Sequence, residues 1–318
     1  MHEQQANEIN DVTPSSLGHI IGQKSVVAQV KVALDAAQQD GRSFDSSLLV
    51  GPAGIGKTQM ASVIAQEMAA DFHEILGQSI KNAADLNAVL LGAKDKDVLH
   101  IDEAHELKKE FQTALYRAIE GRKLFVQGGA NVQAIPVADF TLLLSTTDEY
   151  CLLAPLRDRC RLILRFQFYA ADELTQLLQQ RSKALNWPVD ETAFAQIALR
   201  SKGTPRLALR LLQSARRVCR SDGARTITLK HLMRACQLEQ IDGLGLGPIE
   251  QAYLRIVSEG SSRLNVIVSR IGLPARTVSQ VTEPFLIRTG LVVKDDQGRR
   301  QLTKEGREHL QNSRRNDV

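Results

Sequence analysis

A chain of 318 residues with 43% apolar content is long enough for two or three cores. No stretch approaches the ~20 apolar residues of a membrane span, and Met1–Asn10 lacks the charged-then-apolar order of a signal peptide, so a cytosolic protein without membrane association is expected. The net charge of +4 is uneven: residues 1–167 hold 16 Lys/Arg against 21 Asp/Glu, residues 168–240 hold 12 against 6, and residues 241–318 hold 12 against 9. A polyanion partner would therefore meet the later segments, although solvated helix faces give similar sums.

The four cysteines, Cys151, Cys160, Cys219 and Cys236, show neither C-x-x-C spacing nor histidine-rich surroundings. They are expected to be packing residues rather than zinc ligands or a disulfide framework. In chain order, Ile20-Ile21-Gly22-Gln23 forms a short apolar turn, and Val26, Val27, Val30, Val32, Ala33 and Ala36 follow at roughly helical spacing.

The stretch Leu48-Leu49-Val50-Gly51-Pro52-Ala53-Gly54-Ile55-Gly56-Lys57-Thr58 is an apolar run, a Gly-rich turn and a helix start. That pattern predicts a phosphate-binding loop whose N–H groups turn inward on phosphate oxygens. Lys57 would reach the β- and γ-phosphates and Thr58 would offer its hydroxyl to Mg2+, while the helix from Gln59 to Ala69 aims its positive end at the same anion. The bland alternative is a glycine turn before a surface helix, which the strand-before, helix-after context disfavours.

A helix over Lys81–Leu91 and the polar Lys94–Asp97 lead into Val98-Leu99-His100-Ile101-Asp102-Glu103. An apolar strand ending in Asp-Glu is the second half of a P-loop ATPase: Asp102 can hold Mg2+ through water, and Glu103 can orient and deprotonate the attacking water. Such a pair can also be a helix cap, since Ala104–Leu107 begins a helix. Leu124–Gln127, Gly128-Gly129 and Val132–Val137 predict a hairpin, and Phe140–Thr147 a buried strand running out into hydroxyl residues. Strands alternating with helices from Leu48 to Phe166 predict an α/β domain with a parallel sheet covered on both faces.

Taken together, these residues resemble an AAA+ ATPase, specifically the RuvB Holliday-junction branch-migration motor family. The resemblance runs over most of the chain. Besides the loop and the Asp102-Glu103 strand it rests on Ile20–Gln23, Ser145-Thr146-Thr147, Pro155-Leu156-Arg157-Asp158-Arg159, Phe168-Tyr169, Gly203-Thr204-Pro205-Arg206, Glu283–Ile287 and Gly290. It implies ATP/ADP as the nucleotide, with Gly54, Ile55, Gly56, Lys57, Thr58 and Gln59 on the phosphates and Ile20, Ile21 and Tyr169 on adenine. Thr147 would read the γ-phosphate, and Arg206, beside Pro205, would touch it from the lid. Arg159 would be an arginine finger reaching a neighbouring subunit's ATP, in a homo-hexameric ring. A cation against the transferring phosphoryl stabilises its charge, and supplying it from next door makes hydrolysis depend on assembly. The Leu124–Val137 hairpin is short for one that docks a RuvA-like adaptor. The Arg-Pro that precedes Gly-Gln in that family is absent here, Ser15-Ser16-Leu17 standing nearby, and Asp148 stands where the family tends to carry a basic residue.

From Ala170 to Glu239 apolar residues recur at helical spacing in a basic background, predicting a small helical lid interrupted at Trp187-Pro188 and at Gly203-Thr204-Pro205. After the linker Ile241–Pro248, the order helix, helix, turn, helix, hairpin reads as a winged helix. Leu264–Ile271 and Ala275–Arg288 are its helix pair, and Leu291–Lys294 and Arg300–Leu302 its wing strands. Lys294, Arg299 and Arg300 sit where a wing would meet DNA phosphates, and the resemblance places DNA contacts at Lys294 and Arg299; the alternative is a winged helix that docks protein. The domains expected are 1–167 (AAA+), 168–240 (lid) and 241–318 (winged helix). The function expected is an ATP-driven motor on branched or duplex DNA, the alternative being a loader-like switch that binds DNA in an ATP-dependent assembly.

Overall fold

The computed structural model describes Ile9 and residues 12–128 and 131–316. Most of the N-terminal stretch read for a signal peptide, and Gly129 of the hairpin turn, lie outside the described residues. The chain divides into two compact units, residues 1–173 with Thr204–Arg206, and residues 174–203 with 207–318.

The first unit alternates strand and helix as the apolar pattern predicts. Its elements are α1 (Lys24–Gln39), β1 (Ser47–Val50), α2 (Lys57–Glu67), β2 (Phe72–Leu76), α3 (Ala83–Gly92), β3 (Val98–Asp102) and α4 (Lys109–Gly121), then the hairpin β4 (Lys123–Gly128) and β5 (Asn131–Pro136), and finally β6 (Thr141–Thr146), α5 (Ala154–Arg157) and β7 (Leu162–Arg165). Asn82 caps α3 by accepting from Asp85 N at 3.0 Å, so this helix starts two residues later than the spacing predicts.

Five strands pair in parallel in the order β2-β3-β6-β1-β7. The central strands are covered on both faces, which is why β6 reads as an unbroken run with all six residues buried. Leu48, Leu99, Ile101, Leu142 and Leu144 pack with Phe111, Leu115 and Phe140 into one core. The register sets Val50 beside Thr146 and Ile101 beside Leu144, so the C-terminal ends of β1, β3 and β6 finish together. In open α/β sheets that edge is where ligands bind.

The second unit holds most of α6 (Ala171–Ala184), then α7 (Glu191–Arg200), nearly all of α8 (Pro205–Ser221) and α9 (Leu229–Leu238), whose Leu174, Leu178, Phe194, Ile197, Leu212 and Leu232 are buried. It continues through α10 (Pro248–Ser258), α11 (Leu264–Ile271), α12 (Ala275–Thr277), α13 (Glu283–Arg288), the antiparallel wing β8 (Val292–Lys294) and β9 (Arg300–Leu302), and α14 (Lys304–Asn316). Tyr253, Leu254, Ile267, Val278, Leu286 and Val292 form a core of their own.

The expected single helix over Ala275–Arg288 is interrupted by a π turn, Val278–Thr282. Pro284 explains it, since proline has no N–H to give to the carbonyl one helical turn back and its ring crowds that carbonyl, so the preceding turn widens. Among the described residues no helix is long and apolar enough to cross a membrane. No disulfide joins the four cysteines; three are buried, whereas Cys151 is exposed.

Candidate functional site

The loop between β1 and α2 owes its shape to left-handed glycines. Gly54 has φ +75°, and a Cβ there would come within 2.8 Å of Arg206 Cβ, so only glycine lets the loop and the arginine approach so closely. Arg206 N donates to Gly54 O at 3.2 Å, which seats the Thr204–Arg206 turn on the loop. Pro205 is buried beside it, and Ile55 is fully buried beneath.

Lys57 opens α2 and is 5% exposed. Its Nζ donates to Gly51 O and Pro52 O, both at 2.9 Å, which folds the ammonium back under the loop. Burial lowers its pKa, and the nearby carboxylates of Glu103 and Asp102 oppose that shift while Arg206 adds to it. A buried cation beside two carboxylates and an arginine makes a strongly polarised site. Gln59, in the first turn of α2, has a buried Oε1 with no hydrogen-bond partner among the described residues.

Asp102 ends β3. Its Oδ1 accepts from Glu103 N at 3.0 Å, and its Oδ2 lies 3.4 Å from Thr58 Oγ1. Glu103 has φ +50°, a left-handed conformation that a non-glycine residue adopts only when held there. It does not cap the following turn through its side chain. Its carboxylate turns instead to His105, with Oε2 3.3 Å from Nδ1. Thr147 stands exposed one residue past the tip of β6, whose Thr146 O accepts from Gly51 N at 3.2 Å. The sheet therefore brings Lys57, Thr58, Asp102, Glu103 and the β6 tip to one edge, with Arg206 over the loop.

On the side toward α1, Ile20 and Ile21 are half-buried. A Cβ on Gly22 would lie 2.9 Å from the Tyr169 ring, so the turn packs directly on that side chain. Gln23, which sequence reasoning placed only as a motif letter, clamps the segment before Tyr169: its Nε2 donates to Gln167 O at 2.7 Å and its Oε1 accepts from Gln167 N at 3.1 Å. Burial pushes the Tyr169 phenol up to about 12.

Arg159 is not gathered with this group. Its guanidinium pairs with Glu120 of α4 at 2.8 Å, donates to Pro155 O at 3.1 Å and lies over the Tyr116 ring. Glu120 is a partner that the sequence reading missed; its only signal was an acidic residue near the end of an amphipathic helix.

The wing requires a correction. Arg300, expected at the DNA surface, is a buried residue at 9% exposure. Side chains alternate along a strand, and Arg300 shares the inward face with Leu302 while Gln301 points out. Its Nε donates to Glu283 Oε1 at 2.6 Å and its Nη2 to Oε2 at 3.1 Å. Tyr253 OH donates to the same carboxylate at 2.6 Å, and Lys294 Nζ reaches it at 2.8 Å. Burial alone would raise the Glu283 pKa, but hydrogen bonds from Arg300, Lys294 and Tyr253 outweigh it and hold it at about 2. Arg299 is exposed, whereas Lys294 is partly engaged inside the fold. Glu283 was missed as an anchor, although its spacing from Leu286 puts it on the buried face of α13.

Comparison with known proteins covers nearly the whole chain. Residues 12–166 match the Holliday junction DNA helicase RuvB P-loop domain, residues 169–242 the RuvB AAA lid domain, and residues 243–311 the RuvB C-terminal winged helix domain. The Holliday junction branch migration complex subunit RuvB of Kosmotoga olearia is 36% identical over 313 residues, 96% of this chain and 91% of the relative. Its counterpart in Koribacter versatilis is 36% identical over 90% of this chain and 82% of the relative. The solved Thermotoga maritima RuvB Holliday junction branch migration motor superposes with a TM-score of 0.82 at 33% identity, covering 94% of this chain and 97% of that one.

Proposed function

The chain belongs to the RuvB family of ATP-driven Holliday-junction branch-migration motors, and from that membership we propose how its own residues perform the work. The observation that carries the proposal is the convergence of Lys57, Thr58, Asp102 and Glu103 at one sheet edge, with Arg206 seated on Gly54. ATP would lie with its phosphates in the loop of Gly54, Ile55, Gly56, Lys57, Thr58 and Gln59, and its base against Ile20, Ile21 and Tyr169.

The residues also fit a hard divalent cation. Thr58 Oγ1 and Asp102 Oδ2 are an oxygen-only pair 3.4 Å apart, and Mg2+ characteristically combines one or two such protein oxygens with phosphates and water. Bound there, Mg2+ would neutralise charge on the phosphates. Glu103 takes the proton of the attacking water, Thr147 contacts the γ-phosphate, and Arg206 stabilises its charge from the lid side. Arg159 acts on the ATP of the next subunit in a homo-hexameric ring; in its own chain it is held by Glu120 and Pro155 O.

Domain boundaries near 167 and 240 follow from this reading, giving the spans 1–167, 168–240 and 241–318. The third span grips DNA backbone through Arg299 and, more weakly, Lys294. The β4–β5 hairpin exposes Phe125, an apolar contact suited to a RuvA-like adaptor. A cytoplasmic location suits a DNA motor of this kind.

Two variants test the site. Lys57→Ala should lose ATP binding, while Glu103→Gln should bind ATP and turn it over at least about 100-fold more slowly, since only water activation is removed. Equal loss of binding in both variants would overturn the assignment of Glu103.

A further inference from the structure

We propose that His105 is a positioning residue that fixes the Glu103 carboxylate relative to the tip of β6 through a single Nδ1–H; this rests on the reading of Glu103 as the base. His105 sits in the tight turn Ala104–Glu106, two residues after the carboxylate it holds. Its Nδ1 is 3.3 Å from Glu103 Oε2 and 3.1 Å from Thr146 Oγ1, so one ring nitrogen faces both the base and the end of the strand that leads into Thr147.

The neighbouring hydrogen bonds favour Nδ1 as the donor. Thr146 Oγ1 accepts from Asp148 N at 3.0 Å and donates its proton to Asp148 O at 3.0 Å. A hydroxyl has one proton to give, so with that proton on Asp148 O the threonine accepts toward His105, the arrangement in which Nδ1 carries the hydrogen. The Glu103 carboxylate lies 3.3 Å from the same nitrogen, an electrostatic contact beside the hydrogen bond to Thr146. On the far side of the ring, Nε2 lies 3.6 Å from Glu106 Oε1, too long for a hydrogen bond, so Nδ1 makes the orienting contacts.

The main chain of Glu103 is fixed from below by another close approach. A Cβ on Gly77 would stand 2.5 Å from Glu103 O, so Gly77 is the floor on which the strained turn rests. The Glu103 side chain is 39% exposed and has three rotatable bonds, and backbone fixation alone leaves its carboxylate several rotamers. His105 selects one of them and ties it to the β6 tip, so that base and γ-phosphate reader keep one spacing.

The test uses the full-length protein with ATP. His105→Phe keeps the ring and removes the donor; kcat should fall about ten-fold, the size of one charge-assisted hydrogen bond, with KM for ATP unchanged. His105→Asn, which returns an N–H close to the Nδ1 position, should recover most of the loss. In a Glu103→Gln background, His105→Phe should cost nothing further, because the two act as a unit. If His105→Phe fails to fold, His105→Ala adds no bulk and is read in its place.

An unchanged or raised kcat would overturn the proposal, as would equal loss in His105→Asn and His105→Phe. Full turnover by Glu103→Gln would instead remove the reading of Glu103 itself.

Discussion

The nucleotide edge and the core of the wing are built from the same residue types, yet they hold their charges differently. At the nucleotide edge the contacts are long or local: Asp102 meets Thr58 at 3.4 Å, Glu103 meets His105 at 3.3 Å, and Lys57 bends back to two carbonyls of its own loop. In the winged helix a single buried carboxylate, Glu283, gathers Arg300 and Tyr253 at 2.6 Å and Lys294 at 2.8 Å. The first arrangement keeps charge available to a phosphate; the second consumes it in holding a small fold together. An arginine near the end of a chain that binds DNA therefore says little until its face of the strand is known.

The contrast breaks most sharply at Glu283. Glu283→Ala leaves Arg300 buried and unpaired, and should destabilise the winged helix by about 3–5 kcal/mol, read by urea unfolding of the full chain. Acid should reproduce part of that loss. The folded pKa of Glu283, about 2, lies below its ordinary value of 4.5, so its stabilisation is complete above the ordinary value and declines as pH falls toward the folded one. The stability gap between the wild type and Glu283→Gln should narrow by about 2 kcal/mol between pH 6 and pH 3. A gap that stays constant would mean that the carboxylate is not the anchor.

Smaller effects sharpen the division within the wing. Arg299→Ala should weaken DNA binding for all sequences alike and lower the salt slope by about one charge, with stability unchanged. Arg300→Met should do the reverse, losing stability with little change in slope beyond what partial unfolding brings. Equal slopes in the two variants would return Arg300 to the DNA surface. At the other end, Glu120→Ala removes a partly exposed partner of Arg159 and should cost less than about 1 kcal/mol by thermal unfolding.

How much of this could be read beforehand depended on how local the cause was. The phosphate loop and the Asp102-Glu103 strand end were legible because glycine spacing, strand and helix start are all decided within about a dozen residues. The winged-helix order was legible for the same reason, from Gly272-Leu273-Pro274 and the turn at Asp295–Gly298. Arg300 was misread because a three-residue strand gives little alternation, and its inward face is decided by Tyr253 and Glu283, which are far away in sequence. The π turn was implicit in Pro284 but indistinguishable there from an ordinary first-turn proline. His105 stood in plain view beside the carboxylates, but its partner Thr146 is supplied by β6, 41 positions later, and only the sheet register joins them.

The central claim is that one chain's nucleotide edge is completed by the next chain's Arg159. Arg159→Ala retains its own loop and base, and Lys57→Ala retains its own arginine, so each alone should be inactive. Mixed at fixed total protein, with assembly followed by size exclusion, the two should regain part of the ATPase activity, with a maximum at an intermediate ratio. Turnover that stays at zero across all ratios while the subunits still assemble would contradict the account.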